Sequence, residues 1–265
     1  MVCDPLVVAV VFGGSLIGRE RELELLGDLL GVVRDGSAVV VLLEGEAGIG
    51  KTRLLASVSD LALERDMTVF RGAAHPLERT RPFGPLVDAL DLVPSSGEAR
   101  RAGIGRLLMA DEVVRAGMPL AGQLLFRAVE EIIDLIEVLS DGHPLLLALD
   151  DLHWADSSTL IVVRWVLRRL TEVPLLMVAT LRPSPRASDL AQLVEEAVRS
   201  GARLVRLAPL DEDDVMALVQ TELGLAPGPV LAEAVRRAGG NPLWVVELLR
   251  SLSAEKLLER MPRSP

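Results

Sequence analysis

The chain has 265 residues, of which half are apolar and a quarter charged, and its formal net charge is −10. This composition excludes a disordered chain and suits one α/β core with a small accessory domain, or two small domains. The acidic charge and the lack of a basic stripe argue against direct DNA binding. A single cysteine excludes an internal disulfide framework. Without about 18 consecutive apolar residues, no membrane span is predicted, and the expected location is the cytoplasm.

Strands are predicted to alternate with helices as far as residue 208, which is typical of a parallel sheet with helices on both faces. Short apolar runs predict five strands, at residues 38–43, 67–71, 144–149, 173–180 and 204–207. Apolar residues at helical spacing predict helices at residues 19–30, 51–65, 123–139 and 157–170. Residues 76–120 contain several prolines and are interpreted as an insertion of short helices.

After residue 208 the pattern changes to three helices with no strand between them, at residues 211–220, 230–238 and 243–251. Asp211 is predicted to cap the first of these helices, and Asn241–Pro242 to begin the third. The sequence therefore predicts an N-terminal extension over residues 1–16, a three-layer αβα core over residues 17–208, and a small all-helical lid domain over residues 209–265.

The segment Gly45-Glu46-Ala47-Gly48-Ile49-Gly50-Lys51-Thr52 matches the pattern G-x-x-x-x-G-K-[ST] between a predicted strand and a predicted helix. In this pattern the backbone N–H groups point at phosphate oxygens, and Lys51 adds positive charge at the β- and γ-phosphates. The Thr52 hydroxyl is a predicted Mg²⁺ ligand, and Arg53 is included among the binding residues. The segment predicts a site for ATP with Mg²⁺, since the guanine-specifying pattern N-K-x-D is absent. The alternative is a glycine-rich turn without a ligand.

The apolar strand at residues 144–149 is followed by two acidic residues. Asp150 is predicted to hold Mg²⁺, and Asp151 to orient the attacking water or accept its proton. The alternative is that Asp151 only caps the next turn. Asp156 is predicted to cap the following helix. His153 either senses the γ-phosphate or the catalytic water, or is an ordinary loop histidine.

Thr180 and Arg182 lie at the end of the fourth predicted strand. The carboxyl ends of parallel strands share one edge of a sheet, so both residues are expected near the phosphates. A contact with the γ-phosphate would distinguish a triphosphate from a diphosphate. The alternative for Arg182 is a strand-end residue exposed to water. Taken alone, Ile17-Gly18-Arg19-Glu20 and residues 239–242 indicate only turns at helix ends.

Together and in this order, these segments resemble the nucleotide-binding module of the STAND class of AAA+-related P-loop ATPases. The closest likeness is to large LuxR-type, maltose-activator-like transcriptional regulators and some adenylate cyclases. The resemblance spans residues 17 to about 250, and it rests on the hydrophobic-Gly-Arg-Glu box at 17–20, the phosphate loop, Asp150-Asp151-Leu-His-Trp-Ala-Asp156, Thr180-Leu-Arg182-Pro and Gly240-Asn241-Pro242.

The resemblance implies a P-loop NTPase core with a helical lid. The segment around Ile17 and Gly18 would flank the adenine, and Arg19 is included among the binding residues. Arg182 would read the γ-phosphate, and Pro242 would pack on the nucleotide from the lid. Lys51, Asp151 and Arg182 would be the catalytic residues.

The implied function is a nucleotide switch with slow ATP hydrolysis, the ATPase module of a transcriptional regulator or signalling protein. The alternatives are a stand-alone turnover ATPase, which usually takes an arginine from a neighbouring subunit and would therefore self-associate, and a non-catalytic interaction module. The expected partners are ATP and ADP. Family members continue into sensor and DNA-binding domains, so those activities are not expected from this chain.

Overall fold

The computed structural model describes residues 16–114, 121–183 and 188–254. These residues form two compact units, one of residues 19–208 and one that combines residues 16–18 with residues 209–254. Apart from Leu16, the predicted N-terminal extension lies outside the described residues. Within the part of the chain that the structure describes, no helix is both long enough and apolar enough to cross a membrane.

The larger unit contains a five-stranded sheet in which every neighbouring pair of strands is parallel. The strands are β1 (Val39–Glu44), β2 (Thr68–Ala73), β3 (Leu145–Asp150), β4 (Leu175–Leu181) and β5 (Arg203–Arg206). They lie in the spatial order β2-β3-β4-β1-β5. The predicted α/β class and parallel sheet are confirmed.

Seven α-helices lie among the described residues of this unit: α1 (Glu20–Arg34), α2 (Lys51–Glu64), α3 (Gly84–Leu90), α4 (Ala99–Val114), α5 (Ala121–Ser140), α6 (Ser157–Arg169) and α7 (Ser188–Arg199). α7 lies where no helix is predicted from the sequence. Its signal was present, because four buried residues follow one another at helical spacing: Leu190, Leu193, Val194 and Ala197.

Successive residues of the central strands pack on opposite faces of the sheet, as the two-residue period of a strand requires. Val40 and Leu42 of β1 join a large apolar core with residues of α3, α5, α6 and α7. Val41 and Leu43 point the other way and are also buried, on the face where α1 and α2 contact the strands. The sheet is therefore the middle of three layers, and the described helices cover its two faces but not the ends of its strands.

The smaller unit contains α8 (Glu212–Leu223), α9 (Pro229–Arg236) and α10 (Pro242–Ala254) around its own apolar core. The predicted cap of α8 is confirmed, because the Asp211 carboxylate accepts a hydrogen bond of 2.9 Å from the Asp214 N–H. Asn241 caps α10 in the same way through the Leu243 N–H, at 3.1 Å. The described residues of this unit contain helices and no strand.

Candidate functional site

The predicted motifs of the larger unit meet at the carboxyl edge of the sheet. In the order β3-β4-β1, the ends of the three strands are neighbours, and Glu44 at the end of β1 pairs with Leu181 at the end of β4. The clearest result is a hydrogen bond of 2.7 Å from the Thr52 hydroxyl to the Asp150 Oδ2 atom, between residues 98 positions apart. Two motifs that lie far apart in the sequence, the phosphate loop and the acidic end of β3, are thus in direct contact.

The phosphate loop, residues 45–52, turns the chain sharply from β1 into α2. Gly50, with φ of 102°, takes the left-handed backbone conformation that side-chain-bearing residues rarely adopt. Glu46 and Ala47 are exposed, while Ile49 is buried and anchors the loop. The loop therefore exposes its backbone at the start of a helix, where the helix dipole favours anions.

Lys51 is buried, and its ammonium group is held by the phosphate loop itself. Nζ donates hydrogen bonds of 2.8 Å to the carbonyl oxygens of Gly45 and Glu46. Burial lowers the pKa of Lys51, and the negative charge of Asp151 partly opposes this effect. A positive charge is thus positioned inside the loop, where an incoming phosphate would meet it.

Thr180 holds the Asp150 carboxylate in place. The Thr180 side chain is fully buried. Its hydroxyl donates a short hydrogen bond to Asp150 Oδ1 and accepts one of 2.8 Å from the Asp151 N–H. Asp150 Oδ2 is thereby directed at Thr52. These contacts give Thr180 a positioning role toward Asp150, and its predicted contact with the γ-phosphate remains a prediction.

The donor atoms at Thr52 and Asp150 fit Mg²⁺. This ion prefers hard oxygen ligands, and it is usually held by one or two protein groups together with phosphate oxygens and water. Among the described residues there is no cluster of three or more His, Cys, Asp or Glu that could hold a metal ion without such additional ligands. A hydroxyl and a carboxylate oxygen 2.7 Å apart suit the shared kind of site.

Thr180→Val is expected to lower the free energy of unfolding by about 1–3 kcal/mol, because it leaves the Asp151 N–H without its threonine acceptor at nearly constant side-chain volume. Urea unfolding would measure the loss. The matched control is Thr68→Val, at an exposed strand position, which is expected to stay within about 0.5 kcal/mol of the wild type. Equal effects of the two substitutions would contradict a special role for Thr180.

Asp151 has an unusual backbone conformation and a perturbed carboxyl group. Its φ of 53° is left-handed, a strain that often marks functional positions. Burial raises the pKa of Asp151, as does the neighbouring Asp150, whereas Lys51 and Arg182 act in the opposite direction. The Asp151 side chain forms no capping hydrogen bond to the turn that follows, so the structure does not support the cap interpretation.

The predicted cap at Asp156 is confirmed. Its Oδ1 atom accepts hydrogen bonds from the N–H groups of Ser158 at 2.8 Å and Thr159 at 3.1 Å. These bonds satisfy N–H groups at the start of α6, which have no partner within the helix. They fix the chain at the exit of the turn that carries His153 and Trp154.

His153 is a packed residue beside Asp151. Its side chain is 10% exposed, and Nδ1 lies 3.7 Å from Asp151 Oδ1. Among the described residues neither ring nitrogen has a hydrogen-bond partner. Burial, followed by the positive charges of Arg182 and Lys51, lowers the pKa of His153 to about 4. The imidazole is therefore neutral near pH 7, and both of its nitrogens are buried.

Between pH 6.5 and pH 4 the protein is expected to lose up to about 3 kcal/mol of stability through His153. The unfolded chain binds a proton at this histidine near pH 6.5 and the folded protein only near pH 4, so acid favours unfolding. Urea unfolding of wild type and His153→Gln at several pH values isolates the contribution of His153 to the free energy of unfolding. The raised pKa of Asp151 changes the stability in the opposite direction and is common to both proteins. His143→Gln, at an exposed position, is the control, and an unchanged pH slope in His153→Gln would contradict the expectation.

Arg182 is exposed and follows directly after β4. Its guanidinium carbon lies 5.8 Å from the centroid of the Trp154 ring. Its charge acts on Lys51, Asp151 and His153, which places it in the same cluster. Arg182 is a predicted site residue, whereas its neighbour Trp154 is not.

Arg19 contacts the phosphate loop from behind. The buried guanidinium donates hydrogen bonds from Nη2 to the carbonyl oxygens of Ile49, at 3.1 Å, and Ala208, at 2.6 Å. Arg19 therefore supports the loop backbone, and its predicted contact with the nucleotide remains a prediction. Arg53, also predicted to bind nucleotide, is half-buried in the first turn of α2.

Three predicted nucleotide contacts belong to the smaller unit. Ile17 packs against the apolar core of that unit. Gly18 approaches Asp214 so closely that a Cβ would come within 2.4 Å of the carboxylate. Pro242 begins α10. The contacts of these residues with a nucleotide remain predictions.

Residues 15–178, more than half of the chain, match the family model described as AAA ATPase domain. A protein of Rhizobium meliloti (strain 1021), named uncharacterized protein R02095, is 29% identical over 276 residues. The alignment covers 91% of this chain and 25% of that protein. The chain thus spans about a quarter of the length of this relative.

Solved structures with a similar fold include the Aeropyrum pernix ORC2 protein in ADPNP-ADP complexes, with a TM-score of 0.58, 16% identity and coverage of 92% of this chain and 64% of that one. Cdc6p from Pyrobaculum aerophilum gives a TM-score of 0.56 at 19% identity, covering 96% and 65%. AMPPCP-bound DnaA from Aquifex aeolicus gives 0.51 at 14% identity, covering 89% and 61%. At these identities the likeness shows a common fold, and the match of the family model shows more: the chain belongs to the AAA ATPase domain family.

Proposed function

We propose that this chain binds ATP with Mg²⁺ at the phosphate loop, hydrolyses it slowly, and acts as the nucleotide-dependent switch of a larger transcriptional regulator or signalling protein. The observation that carries the proposal is the 2.7 Å contact between the Thr52 hydroxyl and the Asp150 carboxylate. It joins the phosphate loop to the acidic end of β3 in the arrangement that a metal–triphosphate requires.

The binding step follows from the groups that face the edge of the sheet. The exposed loop backbone and the start of α2 would receive the phosphates. Lys51 would transfer its hydrogen bonds from the loop carbonyls to phosphate oxygens, exchanging two neutral acceptors for a charged one. Thr52 and Asp150 would hold Mg²⁺, which neutralises negative charge on the phosphate oxygens when it is bound.

The comparisons support a nucleotide as the ligand. The ORC2 structure is described as ADPNP-ADP complexes, and the DnaA structure is described as AMPPCP-bound. Both are similar to this chain in fold, and the family model that matches the chain is that of an ATPase domain. We therefore propose ATP and ADP as the ligands. Specificity for adenine over guanine is tested separately, by comparing the two kinds of nucleotide in the binding experiment.

Hydrolysis would depend on Asp151. Its carboxylate follows the Mg²⁺-holding Asp150 directly, and its raised pKa makes it a better proton acceptor than an ordinary aspartate. Arg182 adds an exposed positive charge on the same side of the sheet, suited to the charge that develops on the terminal phosphate. Asp151 would orient the attacking water and take its proton.

The position of Asp151 directly after Asp150 at the end of β3, together with its raised pKa, also supports a turnover ATPase as a second candidate. A switch needs ATP and ADP to bind two arrangements of the protein with different affinities, whereas a turnover enzyme needs a fast chemical step. The two functions use the same residues and differ in rate.

Calorimetric titration with a non-hydrolysable ATP analogue, ADP and the corresponding guanine nucleotides, each with and without Mg²⁺, tests the binding proposal. We expect adenine-specific binding that is tighter with Mg²⁺. Lack of affinity for every nucleotide would refute it and would favour a non-catalytic interaction module. A steady-state phosphate-release assay separates the remaining candidates, because turnover above about 1 s⁻¹, the range of ordinary enzymes, favours the turnover ATPase.

A further inference from the structure

Two arginines from different parts of the chain approach the same indole ring. The guanidinium carbon of Arg79 lies 4.9 Å from the centroid of the Trp154 ring, and that of Arg182 lies 5.8 Å from it. Both distances are within the range of a cation–π contact. Arg79 belongs to none of the motifs identified in the sequence.

The backbone places the Trp154 ring beside the acidic residues. Trp154 ends a single helical turn that begins directly after Asp151, and its N–H donates a hydrogen bond of 2.8 Å to the Asp151 carbonyl. The His153 ring lies 4.9 Å from the Trp154 ring. The indole is therefore fixed at the same edge of the sheet as the predicted catalytic carboxylate.

The chain that carries Arg79 is anchored at the same edge. At the end of β2, the Ala74 N–H donates a hydrogen bond of 3.0 Å to the Asp150 carbonyl. A short helix, Pro76–Glu78, then leads to Arg79, which is exposed. Among the described residues Arg79 has no carboxylate in salt-bridge range, whereas Arg81, two positions on, is paired with Glu78 and Asp88.

Two positive guanidinium groups approach one ring, which itself carries only a partial negative charge on its face. Both arginines also act on a common neighbour, because the pKa of His153 is lowered first by burial and then by positive charges that include Arg182 and Arg79. An anion beside the ring would accept charge-assisted hydrogen bonds from both guanidinium groups.

We propose that Arg79, Trp154 and Arg182 form a clamp for the terminal phosphoryl group of a nucleoside triphosphate. In this clamp, defined by these three residues, Arg79 and Arg182 face the phosphate and Trp154 is the positioning residue that holds their guanidinium groups. The inference rests on the proposed function, since the inner phosphates must occupy the phosphate loop for the terminal one to reach this edge. Because a diphosphate lacks this phosphoryl group, the clamp would make the site bind a triphosphate more tightly than a diphosphate.

The test compares Arg79→Ala with Arg34→Ala, which removes the same charge from an exposed position at the end of α1, before the amino end of β1. Calorimetry on the whole chain, with a non-hydrolysable ATP analogue and with ADP, is the readout. We expect Arg79→Ala to weaken binding of the analogue about tenfold, the size of one lost charge-assisted hydrogen bond, and to leave ADP affinity within about twofold. Arg34→Ala should match the wild type for both ligands.

Trp154 supplies a second, spectroscopic test. Binding of the ATP analogue should change the tryptophan emission more than binding of ADP does, and this difference should disappear in Trp154→Phe, which retains an aromatic face for the arginines. Trp154→Phe should keep most of the preference for the triphosphate, and Trp154→Leu should lose it. Urea unfolding would show that both variants are folded.

The outcomes separate this inference from the proposed function. If Arg79→Ala binds the ATP analogue as tightly as Arg34→Ala, while Lys51→Met no longer binds it, the clamp is refuted and the nucleotide site stands. The clamp is also refuted if Arg79→Ala weakens the ATP analogue and ADP equally. If the wild type binds neither nucleotide, the proposed function fails, and the clamp fails with it.

Discussion

Lys51→Met is expected to weaken ATP binding roughly 100-fold or more, because it removes the only full positive charge that the structure places inside the phosphate loop among the described residues. The ammonium group is buried and its pKa is lowered by that burial, so it is already desolvated before a phosphate arrives. In such a position a charge contributes more to binding than it would at an exposed site.

The same substitution should leave the free protein folded. Burying an ammonium group is unfavourable, and methionine fills a similar volume without a charge. The free energy of unfolding without nucleotide is therefore expected to stay equal to that of the wild type or to rise. Calorimetry and urea unfolding on the same sample measure both quantities. ATP affinity within about tenfold of the wild type in a folded Lys51→Met variant would contradict the assigned role of Lys51.

Asp151→Asn is expected to lower the rate of ATP hydrolysis roughly 100-fold or more while ATP still binds. The amide keeps the shape of the side chain but cannot accept the proton of the attacking water. The Asp151 carboxylate lies close to Asp150, and its negative charge opposes binding of a triphosphate. The substitution removes this charge. Affinity for ATP is therefore expected to stay equal or to increase.

The control for Asp151→Asn is Asp141→Asn, an exposed residue in the turn before β3, at the other end of the same strand. Single-turnover hydrolysis measures the chemical step, and calorimetry measures binding. A rate in Asp151→Asn equal to that of Asp141→Asn would show that Asp151 is not the base. Loss of binding together with the rate would instead assign Asp151 to ligand binding.

The elements whose signal is local could be predicted from the sequence. The strand before Gly45 is a continuous apolar run, and the phosphate loop carries its glycines and Lys51 within eight positions, so both were located to within a residue or two. The cap at Asp156 is equally local, since its partners lie two and three residues further on. These features depend on neighbours along the chain, which a single sequence displays directly.

The contacts that organise the site could not be predicted because they join distant positions. Thr180 bonds to Asp150 across 30 positions, and Arg19 bonds to Ala208 across 189. A single sequence shows which residues end strands, but not which hydroxyl meets which carboxylate. Arg79 gave no signal at all, since it lies in an irregular segment and its only described ring contact depends on where the chain places Trp154.

The hydrogen bonds from Lys51 to its own loop have a kinetic consequence. Without a ligand the ammonium group is already satisfied by the carbonyl oxygens of Gly45 and Glu46, so these two acceptors compete with every incoming phosphate. Such an internal competitor lowers affinity without lowering selectivity, and it gives Lys51 an immediate partner when a phosphate departs. Under the proposed function, release of the nucleotide would therefore leave the Lys51 charge with hydrogen-bond partners, which would favour emptying of the loop.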